Sequence, residues 1–326
     1  MMNILPEGKL NNNLLKKLFS DINNSNSKTP KIGEDSTEIN ISDNKKILVS
    51  SDPITFDTDN IGSYLVDICS NDIYASGGIP KWLLVTCLVP LNTSFEVLRN
   101  NLLGLSHKAN LNHIDIVGGH TEVTSSVNKI IVSGTIIGIY NKDFNENEKI
   151  KPDQDIIIGG LVGIEGSKII CSNISNDKEE IKRLESHCKD LSISVKKISE
   201  CAIRSGGVIK MHDPTEGGIS TAINEITEYG EVGCEIEFEK IKFVENFEKA
   251  CKSLKINPLG VISSGCLIII SNSNNSKNII KELNNNNIPS SIIGKTTKKE
   301  KGNIIINKGK SLKLKRFDQD EIIKIL

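Results

Sequence analysis

Four aspartates and three glycine pairs carry most of the chemistry that this chain's residue types suggest. Asp52 closes the apolar run KILVSSD (46–52), and Asp213 follows the run VIKMH (208–212). Both therefore fall at the carboxyl ends of expected strands, where open α/β sheets place ligands. Asp72 occupies the next position on a helical face formed by Ile61, Tyr64, Leu65 and Ile68. A carboxylate on such a face is buried or half-buried and needs a cation, a metal or a hydrogen-bond network. The alternative is a polar crevice at the helix end, which Gly77 and Gly78 mark. Asp35, in KIGEDSTEI, is a further carboxylate close to a glycine. Taken singly, each of these is a cap or a turn residue. Taken together with the glycine pairs at 77–78, 118–119 and 217–218, they suit Mg²⁺ bridged to phosphate. Magnesium takes a few carboxylate oxygens plus substrate phosphates, and glycine lets backbone N–H groups approach those phosphates closely.

His120, in VGGHTEV, is a candidate phosphate donor or general acid, against the plainer role of a structural hydrogen-bonding group. Thr121 and Glu122 beside it fit the same phosphate and metal shell. Lys9, in LPEGKL, is either a solvated lysine or part of an arm that folds over a nucleotide. Two common phosphate motifs are excluded. GGLVGIEG (159–166) lacks the G-x-G-x-x-G spacing, and GKT at 294–296 has Pro289 where a P-loop requires glycine. The first of these reads as a tight turn after a strand, serving either strand-to-helix packing or ligand contact.

The segment MHDPTEGGIS (211–220) looks like the start of a helix, with Asp213 as N-cap, Pro214 at the first helical position and Glu216 completing a capping box. Ala222, Ile223, Ile226 and Tyr229 continue one apolar stripe. Gly217 and Gly218 then fall inside the helix, where each is about 1 kcal/mol less favourable than alanine.

Around these residues the patterning alternates strands and helices. Strand-like runs at 46–52, 82–89, 113–119 and 129–140, with helices from about Asn60 and Ser94, give a β-α-β-α-β-β order. Phe95, Leu98, Leu102, Leu105 and Ala109 form an inner stripe on the second helix. After the polar stretch 141–153 a second series follows, with strands at DIIIGG, VIKMH, CEIEF, CLIIIS and SSIIG and helices near 177–205 and after Asp213. The expectation is an α/β chain of two domains, 31–148 and 149–326, behind a mobile arm at 1–30 that holds a short amphipathic segment, Leu10 to Phe19. A length of 326 residues suits that count. A formal net charge of -1 argues against a nucleic-acid partner. No apolar run approaches a membrane span, and the N-terminus lacks a signal-peptide core, so a cytoplasmic protein without a membrane partner is expected. The eight cysteines include no C-x-x-C pair and read as reduced core thiols, not as zinc ligands or disulfides.

The strings GEDSTEI, SSDPITF, NDIYASGGIPKW, IVGGHTEV, GLVGIEGSKII, HDPTEGGI and NPLGVISSGCLII, in this order from about residue 5 to residue 300 with their flanks, resemble a known superfamily. Its members include aminoimidazole ribonucleotide synthetase, the hydrogenase-maturation protein HypE, selenophosphate synthetase and thiamine-monophosphate kinase. The resemblance implies a PurM-like fold: an N-terminal domain that pairs with its twin in a dimeric β-barrel, and a C-terminal α/β domain. It also implies Mg-ATP near the dimer interface. By motif, Asp35, Asp52, Asp72 and Asp213 would be metal ligands, and Asp213 and His120 the catalytic candidates. Asn71, Gly118, Gly119, His120 and Thr121 would line the nucleotide site, with Gly217 and Gly218 bordering a cleft. The implied chemistry is activation of an amide, carboxylate or phosphate oxygen by ATP.

Similarity is greatest to HypE-like proteins, through HDPTEGGI and NPLGVISSG. HypE ends in a cysteine that carries the carbamoyl group, whereas this chain ends DEIIKIL and its last cysteine is Cys266; Glu34 stands where many members have a second aspartate. The leading expectation is an ATP- and Mg²⁺-dependent HypE-like homodimeric enzyme acting on a small molecule or on a group borne by a maturation partner protein. The alternatives are a thiamine-monophosphate-kinase-like enzyme and a nucleotide-binding dimeric scaffold without turnover.

Overall fold

The computed structural model describes residues 35–42, 45–55, 61–144, 148–174 and 179–326. The proposed arm at 1–30, with Lys9, lies outside the described residues. The described chain forms two compact units, one spanning Asp35–Phe144 and the other the residues from 148 onward.

The first unit contains β1 (Thr37–Ser42), β2 (Lys45–Ile54), α1 (Ile61–Ala75), β3 (Gly78–Pro90), α2 (Phe95–Leu111), β4 (Asp115–Thr124) and β5 (Ile131–Tyr140). The five strands form one sheet in the order β1-β2-β5-β3-β4, antiparallel except for the parallel β3–β4 pair. Alternation along β5, and along β3 beyond the irregularity at Pro80–Trp82, sends Leu83, Val85, Cys87, Val132 and Ile136 into the core beneath α1. β1 has no counterpart in the expected order. Its only apolar residues, Ile39 and Ile41, are both exposed, so it presents no apolar run.

Helix α1 is buried nearly all round, because the sheet covers one side and α2 another. Asp67 of α1 is tied to Lys108 of α2 at 2.8 Å. Ser94 caps α2 as its sequence suggests, accepting from the Val97 N–H. The expected inner stripe of α2 holds only in part: Leu105 and Ala109 are buried, whereas Phe95 is 75% exposed and Leu102 37%. The first described turn of α1 meets α2 at Asn101 and Leu105, close against Gly62, and Phe95 lies beyond that contact.

The second unit contains β6 (Asp155–Gly159), α3 (Ile164–Asn173), α4 (Glu179–Cys188), α5 (Lys196–Ser205), β7 (Val208–His212), α6 (Gly218–Tyr229), β8 (Gly233–Glu237), α7 (Phe247–Leu254), β9 (Leu267–Ser271), α8 (Ser276–Asn285), β10 (Ser290–Thr297), β11 (Asn303–Asn307) and β12 (Lys310–Lys313). Its seven strands are ordered β12-β11-β8-β10-β6-β9-β7, with β11–β8 the parallel pair. β6 and β9 are buried at every residue, which explains why DIIIG and LIIIS are unbroken apolar runs. One face packs Ile156, Ile158, Ile268 and Ile270 against Ile219, Ala222, Ile223 and Ile226 of α6. The other face meets α5 and α8 through Ile198 and Leu283, which close over Gly159.

Candidate functional site

In the first unit the site is built on the end of β2 and the last turns of α1. Ser50 and Asp52 are two residues apart on a strand, so they share a face. That face looks toward Asp72 on α1. The Ser50 hydroxyl hydrogen-bonds the Asp72 carboxylate and lies 3.3 Å from the Asp52 carboxylate. Asp72 is buried, as its place on an apolar helical face requires. Burial pushes its carboxyl well above the ordinary range, the Asp52 and Asp35 charges push it further, and the Ser50 bond opposes them. Burial, and after it the Asp52 and Asp72 charges, raise the neighbouring Cys69 thiol, whose Sγ lies 3.7 Å from the Gly134 carbonyl.

Asp35, Asp52 and Asp72 are thus brought within electrostatic reach of one another. Among the described residues no group of three or more His, Cys, Asp or Glu side chains is set to enclose an ion. The donor set at this point is a carboxylate pair with a third acid alongside, which suits an ion that keeps most of its coordination for phosphate and water. Asn71, beside Asp72, is wholly buried. Ser50 went unread in the sequence; the available signal was its position two residues before Asp52.

Residues 118–121 lie on the edge strand β4, which is exposed along nearly its whole length. The register of β4 against β3 slips at Val117, a bulge that precedes the glycine pair. Gly119 has φ of 153°, and a Cβ there would collide with the Val85 carbonyl. Gly118 is different, because a Cβ there would meet nothing within 4 Å. His120 is exposed, with its Nε2 3.6 Å from Glu122, and Thr121 is paired with Cys87 across the ladder.

In the second unit Asp213 is buried just after β7. The expected capping box is corrected here. Residues 213–217 form turns, in which Thr215 N–H donates to the Asp213 carbonyl and Gly218 N–H to that of Thr215. α6 begins at Gly218, with Gly217 as its N-cap in the left-handed region at φ 77°. The two glycines are therefore at the helix entrance and not inside it. Gly218 also has positive φ, 59°, and its Cα abuts the 259–261 backbone. Gly217 N–H donates to Asp320 at 2.8 Å, and a Cβ on Gly217 would stand 2.9 Å from the Phe317 carbonyl. Chain reversal and close packing thus account for both glycines within this unit.

Asp320 and its surroundings were also missed, since its partner lies about a hundred residues upstream. Burial raises its carboxyl to about 7, the Ile322 and Gly217 N–H groups lower it, and Glu216 and Glu165 add repulsion. The 315–321 segment is further fastened by Thr221, whose hydroxyl pairs with the Phe317 backbone.

Comparison with known proteins agrees with this architecture. Residues 33–140 match the N-terminal domain of AIR synthase related protein and residues 151–307 its C-terminal domain. A protein of Methanocaldococcus jannaschii named for hydrogenase expression and formation is 27% identical over 83% of this chain and 82% of its own length. A carbamoyl dehydratase HypE of Rhizobium leguminosarum bv. viciae is 26% identical over 67% of this chain but only 62% of its own length, under two thirds of that protein. In fold, the chain superposes on HypE from a HypE–HypF complex with a TM-score of 0.78 at 21% identity, covering 93% of this chain and 99% of that one. It also superposes on HypE solved with ATP, with a TM-score of 0.72 at 22% identity over 85% and 87% of the two chains. No helix among the described residues is long and apolar enough to cross a membrane. Two matched domains, in family order and with the family fold, place this chain in the AIR synthase-related protein family.

Proposed function

We propose that this chain is an ATP- and Mg²⁺-dependent enzyme that activates an oxygen of a small-molecule or protein-borne substrate by phosphorylation. The observation that carries the reading is the Asp52–Ser50–Asp72 arrangement, in which the Asp72 carboxyl is raised by burial and by the neighbouring Asp52 and Asp35 charges and one hydroxyl stands between Asp52 and Asp72. Such a pair is unfavourable until a cation joins it, and a cation reverses the sign of the interaction. Asp52 and Asp72, with Asp35 alongside, are the residues of the first unit that would hold Mg²⁺, and Asp213 is proposed separately as a metal ligand of the second unit. The ion supplies positive charge to phosphate oxygens during transfer.

The remaining residues bind and orient. Ser50 fixes the Asp72 carboxylate, Gly118 offers open backbone to a phosphate, and Thr121 and His120 stand beyond it on β4 as donors. Asn71, Gly119 and Lys9 complete the proposed nucleotide set, whereas Gly217 and Gly218 are taken up by the packing of the second unit. Relatives named carbamoyl dehydratase and a HypE solved with ATP support the class of substrate. Loss of water from a carbamoyl group needs its oxygen made a leaving group, and a phosphoryl group does that. A maturation partner protein carrying such a group is the proposed acceptor, as a HypE solved together with HypF suggests. Two copies are proposed to pair through the five-stranded sheets as a barrel.

The test is calorimetric and kinetic. ATP with Mg²⁺ should stabilise the chain against heat where neither does alone, and Asp72→Asn should abolish that increment and ADP release. Undiminished binding and turnover in Asp72→Asn would remove the proposed metal site. Binding without ADP release against carbamoylated partner peptides would favour a scaffold.

A further inference from the structure

The second unit holds an open cavity of about 670 Å³ that no residue of the proposed nucleotide and metal set lines. That size is typical of pockets that take a ligand. Its apolar lining is Phe238, Ile241, Phe243 and Leu312, with the Phe238 and Phe243 ring centroids 5.7 Å apart. One side of it is the hairpin of β11 and β12. Lys308 and Gly309 both have positive φ, 50° and 73°, as a two-residue hairpin turn requires. The Glu239 carboxylate fastens that turn by accepting from the Lys308 N–H at 2.5 Å. Asn307 and Lys310 close the turn as a pair, and the Leu314 N–H donates to the Asn303 carbonyl. Bonded pairs alternate along an antiparallel ladder, so Lys310 and Leu312 turn their backbone groups toward β11 and Ser311 and Lys313 turn theirs outward. β12 is the last strand of its sheet, and all four of its residues are exposed. The side chains of Lys310 and Leu312 line the cavity, so an open strand edge and an apolar pocket lie side by side.

The charge of this edge is one-sided. Between Glu300 and Asp318 the chain has six basic residues and no acidic one. Arg316 is paired with Glu225 and Glu228, but Lys308, Lys310 and Lys313 make no ion pair among the described residues. We propose that β12 is a docking edge for an extended acidic peptide segment of a partner protein, which adds as a further strand and seats one apolar side chain in the cavity.

In this mode the main-chain bonds to Ser311 and Lys313 hold the segment, while the pocket and the lysines select it. Glu248 of α7 also lines the cavity, so a carboxylate entering there is repelled and the side chain it takes is apolar. The carboxylates of the segment belong beside Lys310 and Lys313, outside the pocket. A second copy of this chain does not fit the same edge, because pairing two β12 strands about a two-fold axis crowds lysines against lysines. A nucleic acid would answer the charge but would leave the outward N–H and C=O groups and the apolar pocket unused. The inference stands independently of the nucleotide reading, since it uses none of those residues.

The test titrates the full chain into a set of fluorescent, acetylated and amidated octapeptides in which glutamates flank a central leucine, phenylalanine or tryptophan, and follows the anisotropy. At least one should bind saturably, bind more weakly as salt rises, and slow hydrogen exchange at the Ser311 and Lys313 amides. That peptide is then methylated on alternate backbone nitrogens in each of the two phases. One phase should abolish binding and the other should keep it, because only alternate N–H groups face β12. Lysine in place of each glutamate should also abolish it. Lys310→Glu should weaken binding about fivefold or more. Ser311→Pro should weaken it about tenfold or more, since proline deletes the outward N–H and no bond to β11. Both positions are exposed, and far-ultraviolet circular dichroism should stay that of the wild type. Three results would each overturn the proposal, and none needs a variant to fold. They are no saturable binding across the set, equal binding of both methylated phases, and equally tight binding of a single-stranded oligonucleotide of the same charge.

Discussion

Ser50 shows how much of a site can rest on one small side chain. It contributes one hydroxyl to β2, yet that hydroxyl joins two carboxylates from different elements. Replacing it with alanine removes no large apolar surface and should leave the folded state intact. Without its bond the Asp72 carboxylate loses the contact that orients it toward Asp52. Groups that orient metal ligands typically matter by about 10- to 100-fold in metal affinity. Ser50→Ala should therefore weaken Mg²⁺-dependent nucleotide binding by about that factor in a calorimetric titration, with the thermal midpoint of the ligand-free protein nearly unchanged. Asp320 is the contrasting residue, structural and titratable near neutrality. Its folded pKa is raised to about 7, so between about pH 4 and 7 the native state holds a proton that the unfolded chain has lost. The stability it contributes is complete in acid and is lost as the pH rises through 7. Thermal midpoints measured across that range should fall with pH more steeply in the wild type than in Asp320→Ala. The variant should also lose about 1–3 kcal/mol at pH 5, because Gly217 and Ile322 N–H groups lose their acceptor.

At the scale of elements, legibility followed the range of the interactions. Periodicity located α1, α2, β7, β9 and β10 closely, because each carries its own apolar pattern. It missed β1, whose two apolar residues, Ile39 and Ile41, are exposed, and it misplaced the start of α6. There a local capping pattern competed with the left-handed turn at Gly217 and with contacts from residues 317 and 320, far away in sequence. The candidate site was legible by the same measure. Asp72 could be placed from its own helix, but the Ser50 bridge across 22 residues could not. The glycine pair on β4 separates the two kinds of reason. Gly119→Ala drives a Cβ into the Val85 carbonyl, so it should destabilise the first unit by more than about 1 kcal/mol. Gly118→Ala meets no protein atom, so denaturant midpoints should be almost unaffected. If that open space is where phosphate sits, the same substitution should weaken Mg-ATP binding about tenfold or more. An alanine at 118 that leaves nucleotide affinity unchanged would take β4 out of the site.

For the molecule as a whole, the exposed apolar residues of the first unit argue for assembly. Ile79, Trp82 and Leu84 on β3, Ile116, Val117 and Val123 on β4, and Ile139 on β5 are exposed together on one sheet. Isolated apolar residues on a surface need no explanation, but a contiguous set along neighbouring strands marks an interface. A strand whose outer edge meets no other strand among the described residues, as that of β4 does, is also a template for pairing with another chain. A second copy with the same sheet is the simplest partner, since a two-fold axis satisfies both surfaces at once. Trp82 is the only tryptophan in the chain, which makes the prediction directly observable. Sedimentation at micromolar concentration should give a dimer, and dilution to dissociation should shift the Trp82 emission to longer wavelength as water reaches the ring. Leu84→Glu would place a charge at the centre of that face, where residues buried in an interface contribute about 2 kcal/mol or more each. Its dimer should dissociate at concentrations at least about thirtyfold higher, while the far-ultraviolet circular dichroism stays that of the wild type. A wild-type chain that sediments as a monomer throughout, or a Leu84→Glu variant that dimerises as tightly, would leave the apolar sheet face without its proposed partner.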